Sequence, residues 1–307
     1  MIQSEKGKAV HGWVVLDKPK GMTSTLAVAR VKSLFKAAKA GHAGTLDPLA
    51  SGLLPVALGE ATKTVPFAMA GKKTYFFVVA WGEERTTGDL EGEITERSDA
   101  RPSRAEIEGL LPRFTGNIMQ TPPAFSALKL GGERAYDKAR GGQAVELAPR
   151  PIVIDSMRLI AVRDRDHAAF EAVCGKGTYV RALARDIAGA LGTFGYVSDL
   201  RRTAVGPFTE NHMIPLEMLE RMRHKAPGDD AMEGVLRPLE TALDGIPALA
   251  VRDAEAQRLK QGQPVLLRGA TAPIAHDAVL VTWEGKPWCL AAIEQGQIKP
   301  KRVFNLS

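Results

Sequence analysis

Asp47 is the residue whose setting first suggests chemistry. It sits in Thr45-Leu46-Asp47-Pro48 with Gly44 and Gly52 on either side, and glycines that permit tight turns let a loop aim one carboxylate rigidly at a cleft. Asp before Pro is also ordinary turn chemistry, so these residues alone leave catalysis and turn-making both open. The surrounding segment exceeds what a turn requires. Between Gly41 and Gly59, four glycines and two prolines are threaded through apolar residues, a texture that predicts a structured loop rather than a helix or regular strand.

Other reactive residue types are scattered. The two cysteines, Cys174 and Cys289, have no C-x-x-C partner, which argues for buried small hydrophobes over a disulfide framework or thiolate zinc site. Six histidines, at 11, 42, 167, 212, 224 and 276, never fall at metal-ligand spacing. No metal is expected. Tyr75 heads an apolar run to Trp81, and Arg181 and Arg185 lie one turn apart on a helix. By residue type alone, Tyr75 reads as a core aromatic and Arg181 as a surface arginine.

The elements that must position these residues are partly legible. Gly12 to Asp17 reads as a strand ended by Lys18-Pro19-Lys20-Gly21. A helix follows, with Ser24 as N-cap, an apolar face through Leu26, Val28, Val31, Leu34 and Phe35, and a stripe of Lys32, Lys36 and Lys39. That stripe is ordinarily a solvated face. Tyr75 to Trp81 reads as a strand buried on both faces, and Ser103-Arg104-Ala105-Glu106 as a capping box. Residues 116–150 lose periodicity and read as a mobile, partly helical insertion carrying Lys129, Arg134, Lys138 and Arg140. Ile152 to Val162 and Ala168 to Cys174 read as strands. Thr178 opens a helix whose core face is Val180, Leu183, Ile187 and Leu191, stopped by Gly192.

At 307 residues the chain suits one large domain plus a small one. Residues 221–237 have the composition of an exposed connection, and the boundary is placed near residue 246. The remainder reads as a helix at Ala254 to Lys260 and strands at Val265 to Leu267, Val279 to Trp283, Trp288 to Ile293 and Arg302 to Leu306. An apolar share of 45% with 25% charged residues is an ordinary globular balance. It excludes collagen-like, coiled-coil and disordered classes. No stretch is long and apolar enough for a spanning helix, and Met1 to His11 lacks the apolar region of a secretory signal, so a cytoplasmic enzyme is expected. The net charge of +6 favours a polyanionic partner. The last 61 residues carry eight Lys or Arg against five Asp or Glu, half of that excess on about a fifth of the length.

H-A-G-T-L-D-P-L-A-S-G-L-L-P, from His42 to Pro55, resembles the catalytic motif of bacterial tRNA pseudouridine-55 synthases. D-K-P-K-G-M-T-S at Asp17 to Ser24 precedes it and G-K-G-T-Y-V-R-A-L-A-R-D at Gly175 to Asp186 follows, in the family's order. I-K-P-K-R-V-F-N at Ile298 to Asn305 extends the likeness to the family's small RNA-binding domain, while 221–237 matches nothing in it. The resemblance implies isomerisation of uridine 55 in the T-arm of tRNA without a cofactor, by a monomer that needs no protein partner. Asp47 is then the carboxylate that attacks the uridine or its glycosidic carbon, a use of carboxylates shared with retaining glycosidases. Tyr75 is the aromatic that stacks on the flipped base. Arg181 pairs with the aspartate, with two parallel hydrogen bonds from a planar guanidinium as the expected geometry. Tyr179 and Leu200 line the uracil pocket, His42 contacts the displaced RNA loop, and Lys18 counts among the substrate-binding residues. Residues 116–150 correspond to a loop that grips RNA, and Lys32, Lys36 and Lys39 become phosphate contacts.

The expected fold is α/β of the α+β type: a catalytic domain, residues 1–246, with a mixed, largely antiparallel sheet, then a small β-rich PUA-like domain, residues 247–307. The nearest rivals are a pseudouridine synthase for another RNA, such as the guide-dependent kind, and an RNA chaperone that folds tRNA without essential catalysis. A glycosidase is disfavoured, because no second motif-supported carboxylate accompanies Asp47.

Overall fold

The computed structural model describes residues 8–126, 128–130, 133–134, 141, 145, 147–225, 230–267 and 275–306. In chain order its strands begin with β1 (Gly12–Lys18), β2 (Ala40–His42), β3 (Ser51–Leu58), β4 (Lys73–Trp81), β5 (Glu83–Arg85), β6 (Ile94–Arg97) and β7 (Gly116–Gln120). A two-residue pair follows, β8 (Lys129–Leu130) and β9 (Glu133–Arg134), and then β10 (Arg150–Val162), β11 (His167–Cys174), β12 (Gly195–Val205), β13 (Phe208–Thr209) and β14 (Ile214–Pro215). Among the described residues ten of these form one sheet in the order β14-β1-β3-β12-β4-β11-β10-β7, with β2 on β3 and β13 on β12. Only the β1–β14 and β3–β12 pairs are parallel. The fold is therefore the expected mixed, largely antiparallel one.

Two cores sandwich this sheet, and the run Trp13-Val14-Val15-Leu16 explains both. Alternate side chains of a strand point to opposite faces, so Val14 and Leu16 meet one set of residues and Trp13 and Val15 another. On the first face α1 (Ser24–Leu34) and the helix that carries Arg181 bury Ala27, Val31, Leu183 and Ile187 against Phe77, Val79 and Phe170. Phe77 and Phe170 stack at 5.4 Å and Trp81 meets Phe170 edge-on. On the second face Trp13, Val15, Leu53 and Phe208 pack with Leu239 and Leu243 and with Leu280, Leu290 and Phe304 from the carboxy-terminal part.

That part is a five-stranded sheet of β15 (Ala248–Ala250), β16 (Val265–Leu266), β17 (His276–Trp283), β18 (Lys286–Glu294) and β19 (Gln297–Val303). Its last strand starts five residues before the expected Arg302. Phe304 lies beyond it and is buried in the second core. Polar ties reinforce the junction: Lys63 Nζ donates to the Val303 carbonyl at 2.7 Å, and the Asn305 amide donates to Glu60 Oε2 at 2.8 Å.

Several expectations are corrected. Gly41 to Gly59 is not loop throughout, because β2 and β3 occupy its ends. β3 sits between β1 and β12, where pairing on both sides outweighs the poor strand propensity of glycine and proline. Pro55 lacks a donor, yet its carbonyl still accepts from the Ala43 amide at 3.0 Å. Thr23 rather than Ser24 caps α1, its hydroxyl accepting from the Leu26 amide. That helix ends at Leu34, so Lys36, at φ 50°, and Lys39 leave the stripe. Residues 116–120 belong to the main sheet, paired with β10. Lys138 and Arg140 lie outside the described residues. β12, over Gly195–Val205, carries no strand periodicity in its sequence, yet it lies at the centre of the sheet between β3 and β4. The connection at 221–237 is not simply exposed. Residues 216–225 are helical, Met232 is buried, and the Arg237 amide and carbonyl pair with those of Trp13. The capping box is present: the Ser103 hydroxyl accepts from the Glu106 amide, and Glu106 accepts from the Ser103 amide.

Candidate active site

The loop between β2 and β3 carries Asp47, and the first motif holds it on both sides. Ser24 is buried at the start of α1. Its hydroxyl donates to the Leu46 carbonyl at 2.9 Å and accepts from the Leu46 amide at 2.8 Å. The Gly21 amide donates to the Pro48 carbonyl at 2.8 Å. Lys18 is fully buried, with its ammonium on the carbonyls of Met22 (2.7 Å), Pro19 (2.9 Å) and Pro48 (3.4 Å). Burial lowers its pKa to about 8, opposed in part by the Asp47 charge. Lys18 therefore sets the loop from below, and its three donors are spent on backbone.

Arg181 comes from the first turn of α2 (Val180–Ala190), just after the Gly175-Lys176-Gly177 turn. Its side chain is 7% exposed, against 39% for Asp47. Nε donates to Asp47 Oδ2 at 2.9 Å, Nη1 to the Thr87 carbonyl at 2.8 Å and Nη2 to the Phe125 carbonyl at 2.8 Å. The expected bidentate pair is absent, because the fork is spent on two loop carbonyls. A second carboxylate shares the cation: Asp89 Oδ2 lies 3.6 Å from Nε. Asp89 is buried, and its Oδ1 accepts from the Thr87 hydroxyl and the Glu91 amide. Burial and the nearby Asp89 and Asp47 charges push the Glu91 carboxyl up.

Asp47, Asp89 and Arg181 line one cavity with Leu49, Ala50 and the Val197–Leu200 stretch of β12. Leu200 thus stands where a base could rest beside the carboxylate. Tyr75 lies on β4, opposite Arg202 of β12 in the strand register. Its phenol pKa is raised, chiefly by burial, so it is a neutral phenol near neutral pH. Tyr179 caps α2, clamped through its backbone: Gln120 Nε2 donates to the Tyr179 carbonyl at 3.1 Å, and the Tyr179 amide donates to Gln120 Oε1 at 2.9 Å. His42 ends β2 next to the loop, its pKa lowered by burial and by Arg202.

Sequence reasoning missed Asp89, Gln120 and Arg202. Asp89 sits in Thr86-Thr87-Gly88-Asp89, which reads as a turn, and nothing in its spacing ties it to Arg181, 92 residues later. Arg202 follows Leu200-Arg201 on a strand that periodicity did not disclose.

Models of known families cover most of the chain. The TruB family pseudouridylate synthase N-terminal domain matches residues 32–180, the tRNA pseudouridylate synthase B C-terminal domain matches 181–244, and the pseudouridine synthase II TruB C-terminal domain matches 247–304. A tRNA pseudouridine synthase B from Bradyrhizobium diazoefficiens is 61% identical over 97% of this chain and 87% of its own length. The chain belongs to the tRNA pseudouridine synthase B family. Another member, from Brucella melitensis, is 52% identical over 98% of both chains. Among solved structures, one from a Cbf5-Nop10-Gar1 complex superposes with a TM-score of 0.74 at 25% identity, covering 96% of this chain and 85% of that one. The first family model spans His42, Asp47, Tyr75 and Asp89, the second spans Arg181, Leu200 and Arg202, and Lys18 precedes both.

Proposed function

We propose that this chain isomerises uridine 55 to pseudouridine in the T-loop of tRNA, with Asp47 as its catalytic carboxylate. The observation that carries this reading is one partly exposed carboxylate at a cavity mouth, oriented by an arginine that is itself buried. Membership of a family whose relatives are named tRNA pseudouridine synthase B supplies the substrate.

The reaction is an isomerisation, so nothing is oxidised or reduced. The N1–C1′ bond breaks, the uracil turns, C5 bonds to C1′, the C5 proton leaves and N1 gains a proton. Asp47 supplies the electron pair that holds the ribose or the base while the glycosidic bond is open. Arg181 keeps that carboxylate aimed. A uridine in a folded loop must first be extruded, at a cost of a few kcal/mol that stacking and phosphate contacts offset. Tyr75 offers a ring face and a hydroxyl able to hand on a proton, while Leu200 and Tyr179 bound the base. The chain acts on the T-arm as a monomer, and the basic carboxy-terminal sheet adds phosphate contacts.

The test is single-turnover conversion of unmodified tRNA. Asp47→Asn should abolish pseudouridine at position 55 and leave tRNA affinity within about tenfold, because phosphate contacts dominate binding. Conversion by the variant at the wild-type rate refutes the assignment. Wild-type protein that folds tRNA yet converts none would favour the chaperone reading instead.

A further inference from the structure

We propose that Arg202 is a positioning residue of the reaction, the buried template on which the Asp47 loop and Tyr75 are both set. The inference rests on the isomerase reading above and adds to it a residue that touches no part of the substrate.

Arg202 lies on β12 and is 1% exposed. Its Nε donates to the Leu53 carbonyl at 2.8 Å, Nη2 to the Gly44 carbonyl at 2.9 Å and Nη1 to the Thr45 carbonyl at 3.4 Å. Those carbonyls bracket Asp47: two precede it and one follows it. One rigid, planar cation therefore ties together the segments that enter and leave the catalytic turn.

The two motif glycines are shaped to the same residue. Gly44 has φ 100°, and a Cβ there would stand 3.3 Å from Arg202 Nη1. Gly52 has φ 95°, and a Cβ there would stand 2.3 Å from the Arg202 carbonyl oxygen. Both conformations are strained for any side chain, and both would push the loop off its support. The pair Gly44 and Gly52 thus records a close approach to Arg202 as well as a turn.

Tyr75 is held from the other side. It is the register partner of Arg202 in the β4–β12 pair, and the nearby guanidinium charge lowers the phenol pKa that burial raises. Among the described residues no carboxylate pairs with Arg202; its hydrogen bonds go to three backbone carbonyls. A buried cation without a counter-ion is costly, and a purely structural strand would hold an apolar side chain there at less cost. The titratable and charged groups that act on the phenol are Arg202 from β12, Asp47 from the loop and the Cys174 thiol from β11. Burial raises that thiol to about 11, so it stays neutral over the working range.

The experiment uses the full-length protein, with Arg202→Lys and Arg202→Met beside wild type. Three quantities are read: the single-turnover rate on unmodified tRNA, tRNA affinity, and the alkaline titration of Tyr75 by ultraviolet difference absorption, with Tyr75→Phe as the background. A misplacement of about 1 Å costs on the order of a hundredfold in a positioned reaction. Arg202→Met should therefore lose roughly a hundredfold in rate with affinity within about threefold, and its Tyr75 titration should move to higher pH. Arg202→Lys should keep that titration closer to wild type and still lose at least tenfold in rate, because an ammonium cannot hold three carbonyls in one plane.

Wild-type rates in both variants overturn the proposal. So does a rate loss matched by an equal loss of tRNA affinity with an unmoved titration, which is what a merely structural strand residue would give. If Arg202→Met does not fold, Arg202→Lys decides by the same criteria. Should wild type itself convert no uridine, the isomerase reading falls, and the Tyr75 titration still reads the Arg202 contact by itself.

Discussion

Arg181 reaches Asp47 through Nε alone, at 2.9 Å, while both terminal nitrogens of its guanidinium are bound to loop carbonyls. The cation is therefore fixed before it meets the carboxylate. Asp47 is oriented by a side chain that cannot follow it, and Asp89, 3.6 Å from the same Nε, adds a second counter-ion to the buried charge.

Arg181→Lys keeps the charge and loses the frame. One ammonium at the end of a flexible stem cannot reach Asp47, Thr87 and Phe125 together. Single-turnover conversion should fall at least tenfold while tRNA affinity barely moves. Equal rates would mean that charge alone suffices.

Asp89→Asn leaves a neutral group of the same shape against Arg181. The Thr87 and Glu91 contacts can persist, so the protein should fold with a loss of about 1–3 kcal/mol. With one counter-ion gone, Arg181 is drawn more fully onto Asp47, making that carboxylate a weaker nucleophile. Conversion should slow by roughly ten- to a hundredfold in rapid-quench measurements. Unchanged conversion would make Asp89 only a structural counter-ion.

Lys18 sets a pH dependence of definite sign. Its folded pKa of about 8 lies below the unfolded lysine value of about 10.4. Between these values the unfolded chain binds the proton that the folded chain has released, so this group's contribution to stability rises with pH there. In Lys18→Met that contribution is absent. The stability gap in favour of wild type should widen from pH 8 to 10 by up to about 1.4 kcal/mol per pH unit. Chemical denaturation at several pH values checks it, and a gap that narrows contradicts the assignment. Over the same range activity should decline, because neutral Lys18 has only two protons for three carbonyls.

Phe304 anchors the carboxy-terminal sheet in the core behind Trp13 and Leu290. Phe304→Ala should cost about 3–5 kcal/mol. If the basic sheet contributes phosphate contacts, tRNA binding should also show a shallower salt slope. Truncation after residue 246 should expose Leu239 and Leu243 and lower the melting temperature, in contrast with a freely detachable tail. A truncated protein that melts like wild type refutes this.

Much of the molecule was legible in the residues themselves. The run Tyr75 to Trp81 calls for a strand covered on both faces, because period-two geometry leaves no polar face to turn to water. Ser103 and Glu106 specify a helix start through bonds that span three residues, and the ordered motifs around Asp47 and Arg181 carry the family and its reaction. Local chemistry and motif order need no knowledge of where distant segments lie. The Gly41 to Gly59 strands, Asp89, Arg202 and the carbonyl contacts of Lys18 were decided only by tertiary structure. β3 is a strand because β1 and β12 pair with it from elsewhere in the chain. Asp89 matters because Arg181 comes to it across 92 residues, and Arg202 because β12 runs beneath the loop. Lys18, counted among the substrate-binding residues, gives its ammonium to three carbonyls once the chain folds. Hydrogen bonds and ion pairs between remote residues leave no periodicity or spacing in a single sequence, so only the folded chain reveals them.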